Sequence, residues 1–148
     1  MTRTRDPWLV TAGVLSAAAA LLHLAVIAGG PRWYRFFGAG EEMARMAERG
    51  SIRPALITLG IAAMLALWSA YAFSGAGLIR RLPLLRLALI LISAVYLLRG
   101  LVLVPILIAR GGSVQAFVLW SSLVVLAYGI IYAVGTARAW AGLGRRMK

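Results

Sequence analysis

The stretch of sequence that decides the fold is residues 8–28, WLVTAGVLSAAAALLHLAVIA, in which His23 is the one ionisable side chain. A helix of about 20 apolar residues is long enough to cross the ~30 Å hydrocarbon core of a bilayer. The run is longer than the apolar core of a signal peptide, and no small-residue cleavage site follows it. We therefore predict that these residues form a retained membrane-spanning helix.

Three further apolar stretches repeat this pattern at about residues 54–74, 84–108 and 114–136, with Gly, Pro and Arg clusters between them. Such clusters end helices and mark the turns that join them. Of the 148 residues, 62% are apolar, which is more than a water-soluble domain of this size could bury. The sequence therefore predicts an all-α fold, in which residues 1–148 form a single domain of four transmembrane helices.

Residues 31–50 are the one long polar segment. They open with an aromatic and basic run at 32–37, RWYRFF, a mixture typical of the headgroup layer of a membrane. Glu41 and Glu42 then begin a short amphipathic segment that Arg49 ends, and this order of charges suits the dipole of a helix. Three apolar residues share one face of that segment: Met43, Met46 and Ala47. We predict a short interfacial helix between the first two spans.

The distribution of charge predicts the orientation and the partners. The net charge of +12 comes in short clusters between apolar runs and not on one continuous basic face, a pattern that argues against nucleic acid. Lys and Arg are more numerous at the N-terminus, the 80–81 turn and the C-terminal tail than on the opposite side, which predicts cytoplasmic termini in a bacterial inner membrane. Membrane lipids are the predicted partners, and a homo-oligomer remains open.

The scarcity of catalytic residue types limits the chemistry. There is no cysteine and one histidine, so the sequence predicts no metal site and no cofactor. No acidic residue follows Glu48, whereas proton and cation relays in transporters usually rest on acids within the membrane.

Arg99 is the most informative polar residue, because it lies nine residues inside the predicted end of the third span. Burying a guanidinium at mid-membrane costs ~2.5–3.5 kcal/mol on insertion scales, so the side chain must face other helices, water or a ligand. In the predicted topology the other rare polar and aromatic groups belong to the same outer half. The predicted ligand-binding site consists of Arg99, Tyr96, His23, Trp33, Glu41, Glu42 and Trp120.

Three interpretations of this site stay open. In the leading one the protein binds, or passes along, an amphiphilic or anionic ligand in an outward-opening cavity, with Arg99 holding the anion. In the second the protein is a lipid-modifying enzyme in which His23 pairs with Glu41 or Glu42 for acid–base catalysis. In the third it is an accessory or structural subunit, and Arg99 serves only to tie helices together.

Two short runs carry a resemblance to known proteins. The run at 33–41, WYRFFGAGE, together with YLLRG at 96–100, resembles small four-helix bacterial inner-membrane proteins of uncharacterised function. The resemblance covers most of the chain. It implies four spans in the inner membrane, and it supplies no reaction and no site residues.

Overall fold

The computed structural model describes residues 5–102, 105, 109 and 116–143, with the backbone alone at 116 and 117. All regular structure in this described part is helical, so the all-α prediction is confirmed. Five helices are described: α1 (Pro7–Phe36), α2 (Glu41–Glu48), α3 (Arg53–Gly75), α4 (Leu85–Leu101) and α5 (Ala116–Leu143).

Three of these helices, α1, α3 and α5, are long and apolar enough to cross a membrane. They correspond to the first, second and fourth predicted spans. Helix α4 has 17 residues, about 25 Å of rise, and it ends at Leu101, before the predicted end of the third span at 108. Pro105, which is itself helical, lacks the N–H that would bond the carbonyl of Leu101, so that hydrogen bond is missing from the helical ladder after α4. Residues 103, 104 and 106–108 lie outside the described part, so the four-span count stays a prediction.

The other helix ends follow the Gly and Pro signals in part. Helix α1 is broken at Gly30, which has φ +64° and ψ −149°, and Pro31 opens the segment that follows. This break falls where the sequence predicts the end of the first span. Helix α5 continues to Leu143, beyond the predicted end near 136, because residues 137–143 are mostly good helix formers.

The chain divides into two compact units, each described by itself. The first unit takes its described residues from Met1–Leu15 and Trp68–Lys148, and the second unit is Ser16–Leu67. The prediction of a single domain stays a prediction.

In the first unit, α4 and α5 pack with their backbones close together. A Cβ atom built on Gly100 would lie 2.8 Å from the Cα of Leu126, and one built on Gly129 would lie 2.8 Å from the backbone nitrogen of Leu97. These distances are shorter than ordinary carbon contacts of about 3.5–4.0 Å. Glycine at both positions is therefore what permits the close approach.

In the second unit, α2 packs on the last part of α1. Ala44 is fully buried against Tyr34 and Val26, with Met43 and Ala47 partly buried beside it. The segment 41–49 is thus helical over Glu41–Glu48 and packs by one apolar face. Its position at a membrane surface stays a prediction.

Candidate functional site

Arg99 lies in the last turn of α4, where a cation interacts favourably with the negative end of the helix dipole. Its side chain is exposed, and its Nη1 is 3.5 Å from the hydroxyl oxygen of Ser122 on α5. A separation of 3.5 Å is at the outer limit of hydrogen bonding, so this contact contributes little. Asp6 is the only acidic side chain in the first unit, and it lies 3.7 Å from Arg138. Nothing described in that unit therefore neutralises Arg99.

Tyr96 lies one turn before Arg99 and is buried at 6% exposure. Its ring lies among three other aromatic rings, with centroids 4.9 Å from Trp68 and 5.5 Å from both Tyr128 and Tyr132. The hydroxyl of Tyr132 donates to the carbonyl of Trp68, and that of Tyr128 donates to the carbonyl of Leu15. The four rings pack together as an aromatic core that supports α4 beneath Arg99.

Trp120 belongs to the first described turns of α5 and is 66% exposed. It is two residues before Ser122, the neighbour of Arg99, so it lies on a different face of α5 from Ser122. The described structure thus places Arg99 and Tyr96 together on α4 in the first unit. Trp120 belongs to the same unit and has no ring partner among the described aromatic residues.

The glutamates of the second unit are held by arginines. Arg35 donates to Glu41 from Nε at 2.9 Å and from Nη2 at 3.0 Å, and to Glu48 from Nη1 at 2.7 Å. Arg45 donates to Glu41 at 3.2 Å. These bonds, chiefly those from Arg35, hold the pKa of Glu41 at about 2, well below its ordinary 4.5, and also lower the pKa of Glu48. Arg35 thus fastens both ends of α2 to the last turn of α1.

His23 is half-buried on α1, with its Nδ1 2.8 Å from the carbonyl oxygen of Ala19 in the preceding turn. Within the described second unit no hydrogen bond joins His23 to Glu41 or Glu42. The acid–base pair therefore stays a prediction. The described contact of His23 is with the carbonyl of Ala19, and those of Glu41 are with Arg35 and Arg45.

Trp33 and Glu42 are the remaining predicted site residues, and both are exposed. Trp33 packs over Gly29, where a Cβ atom would collide with the indole ring. Its centroid is 5.6 Å from that of Phe37. Glu42 lies in the first turn of α2, at the positive end of the helix dipole. Among the described residues no group of three His, Asp or Glu side chains could hold a metal ion.

The sequence interpretation missed a second polar site at the opposite end of α4. Arg86 places its guanidinium carbon 4.6 Å from the ring centroid of Trp140 and donates to the carbonyl of Trp140 at 2.8 Å. The Nε of Arg86 is buried and has no hydrogen-bond partner in the described structure. The sequence signal for this site was helical spacing, which places Arg86, Ser93 and Leu97 on one face of α4.

The chain has no match among protein-family models, curated proteins or solved structures. Its function is therefore inferred from the residues and contacts described above.

Proposed function

We propose that this chain is a bacterial inner-membrane protein of four spans with cytoplasmic termini, and that it binds or passes along an amphiphilic, anionic ligand at Arg99. Helices α1, α3 and α5 would be three of the spans, and α4 with the residues after it would be the other. Helix α2 would lie at the outer interface, with Ala44 turned inward and Glu41, Arg45 and Glu48 turned toward water.

The proposal rests on the exposure of the Arg99 side chain and on the contacts that it makes. The guanidinium is exposed at the end of an apolar helix, its one described contact is long and neutral, and no acidic side chain of its unit is available to it. A permanently charged group in or near a membrane is costly unless it meets water or an anion. A fatty carboxylate or a phosphate would satisfy it through paired N–H donors.

The structural alternative, in which Arg99 ties α4 to α5, has weaker support. The contact with Ser122 is too long to hold two helices together, whereas Gly100 and Gly129 already bring the same helices into close contact. Helix association at small residues needs no charged group. We therefore favour ligand binding over a purely structural role.

The test is native mass spectrometry of the purified protein titrated with a fatty carboxylate and with the fatty alcohol of equal chain length. Wild type should retain the carboxylate in preference to the alcohol. Arg99→Gln should lose that preference while remaining folded. Arg99→Lys should keep only part of it, because lysine preserves the charge but not the bidentate fork.

Ser122→Ala is the matched control, since it removes the neutral neighbour of Arg99 from a site that is 1% exposed. We expect it to keep the carboxylate preference. If Ser122→Ala and Arg99→Gln lower the melting temperature equally and neither changes ligand retention, Arg99 is a helix tie and the proposal is wrong.

A further inference from the structure

A shallow groove of about 580 Å³ runs between α4 and α5 in the first unit. Its lining is apolar apart from the hydroxyls of Ser93 and Thr136, and it includes Ile90, Leu97, Ala133 and Trp140. On α4 the lining residues follow Arg86 at helical spacing, so Arg86 stands at one end of the same face. From Arg86 to Leu97 the groove side of α4 rises about 16 Å.

The Arg86 end of this groove is charged, and the rest of the lining is uncharged. Trp140 lines the groove there, with the guanidinium of Arg86 stacked on its ring at 4.6 Å. A second hollow, of about 610 Å³, adjoins this end and is lined by both Arg81 and Arg86. Asp6, the only acidic side chain of the unit, lies beside Arg138, so Arg86 has no acidic partner among the described residues of this unit.

Two buried polar atoms at the groove lack partners in the described structure. They are the Nε of Arg86 and the Oγ1 of Thr136, the latter on a residue that is 6% exposed. Native proteins leave few buried polar groups unsatisfied, so each such group calls for an explanation. Both atoms can donate a hydrogen bond, and Thr136 is one turn of α5 deeper than Trp140.

We propose that this groove is a binding site for one anionic phospholipid. The phosphate would lie at Arg86, an ester carbonyl would accept from Thr136, and an acyl chain would lie along Ile90, Leu97 and Ala133. Along the groove a charged group is followed by a hydrogen-bond donor and then by an apolar wall. This order matches the phosphate, the ester and the acyl chain of a phospholipid. Trp140 beside Arg86 suits the interface, where aromatic rings and arginines meet headgroups.

This site is separate from the one at Arg99. Arg86 precedes Arg99 by thirteen residues, about 20 Å of helix rise, and the two project from different faces of α4. The ligand of the proposed function and the phospholipid inferred here can therefore be lost independently.

The experiment is a native mass spectrometry titration with phosphatidylglycerol and phosphatidylcholine of identical acyl chains. Wild type should retain phosphatidylglycerol in preference to phosphatidylcholine. Arg86→Gln should weaken its retention about 10- to 100-fold, as expected when a hydrogen-bonded charge pair is removed. Arg53→Gln, which removes an exposed arginine at the start of α3 in the second unit, should leave it unchanged. Equal retention of the two lipids by wild type, or unaltered retention of phosphatidylglycerol by Arg86→Gln, would overturn the inference.

A second variant tests the acyl-chain part without touching a charge. Ala137 is an exposed lining residue, so Ala137→Phe should fill the groove and release phosphatidylglycerol. Ile130→Phe is its control, because Ile130 is 49% exposed on α5 and does not line the groove. If Ala137→Phe instead turns a dimer into a monomer and leaves lipid retention unchanged, the groove holds a second copy of the chain and the lipid site is refuted.

Discussion

Replacing Gly129 by alanine tests the packing of α4 against α5 most directly. The new Cβ atom would lie 2.8 Å from the backbone nitrogen of Leu97 and 2.9 Å from the Cγ of the same residue. Ordinary contact needs about 3.5–4.0 Å, so the helices must separate by roughly 0.6–1.2 Å. Part of the obstacle is backbone, which cannot turn aside as a flexible side chain can. Overpacking of this kind costs about 1–3 kcal/mol.

The gain in helix propensity from Gly to Ala, up to about 1 kcal/mol, acts against this cost and must be subtracted. Gly60→Ala supplies that reference, because Gly60 lies inside α3 with no atom within 4 Å of its Cβ position. Gly142→Ala supplies the same reference on α5, near its end. The difference between Gly129→Ala and these controls should therefore be the steric cost alone.

Reversible unfolding in mixed micelles, driven by a denaturing detergent and followed by far-ultraviolet circular dichroism, measures this difference. A cost of about 1–3 kcal/mol corresponds to an unfolding equilibrium roughly 5- to 150-fold less favourable to the folded state than in Gly60→Ala. Gly100→Ala should behave like Gly129→Ala, because its Cβ would lie 2.8 Å from the Cα of Leu126. Equal stability of Gly129→Ala and Gly60→Ala would refute the close backbone contact.

Two further predictions concern the second unit and the topology. Carbon-13 NMR of the Glu41 carboxyl should show a pKa of about 2, and Arg35→Gln should move it toward 4.5 by more than Arg45→Gln does. Because folding lowers the pKa of Glu41, the ionised carboxylate stabilises the packing of α2 above pH 4.5. That stabilisation is lost as the pH falls toward 2. An ordinary pKa of Glu41 in wild type would contradict the contact with Arg35. A reporter that is active only in the periplasm, fused after Lys148, should give no signal, and a strong signal would reverse the predicted orientation.

The candidate site was only partly predictable. The sequence singled out Arg99 because a charge within an apolar run is rare, and Tyr96 because it lies one turn away. It did not predict that Arg35 would hold Glu41 and Glu48, since these residues lie on separate helices, 6 and 13 positions from Arg35, and meet it only when α2 folds back on α1. Nor did it predict the stacking of Arg86 on Trp140, which joins residues 54 positions apart.

By itself the sequence determined which segments are helices and where most of them stop. Apolar runs of membrane length must satisfy their backbone hydrogen bonds internally, and Gly30, Pro31 and Pro105 interrupt that ladder by local chemistry. These effects act within a few residues and need no knowledge of neighbours. Only the tertiary structure decided which faces meet, because helices that are apolar on every side carry no hydrophobic signal for their rotation. Gly100 and Gly129 allow the backbones of α4 and α5 to pack closely. This steric fit depends on the placement of both helices, so the sequence of either helix alone does not reveal it.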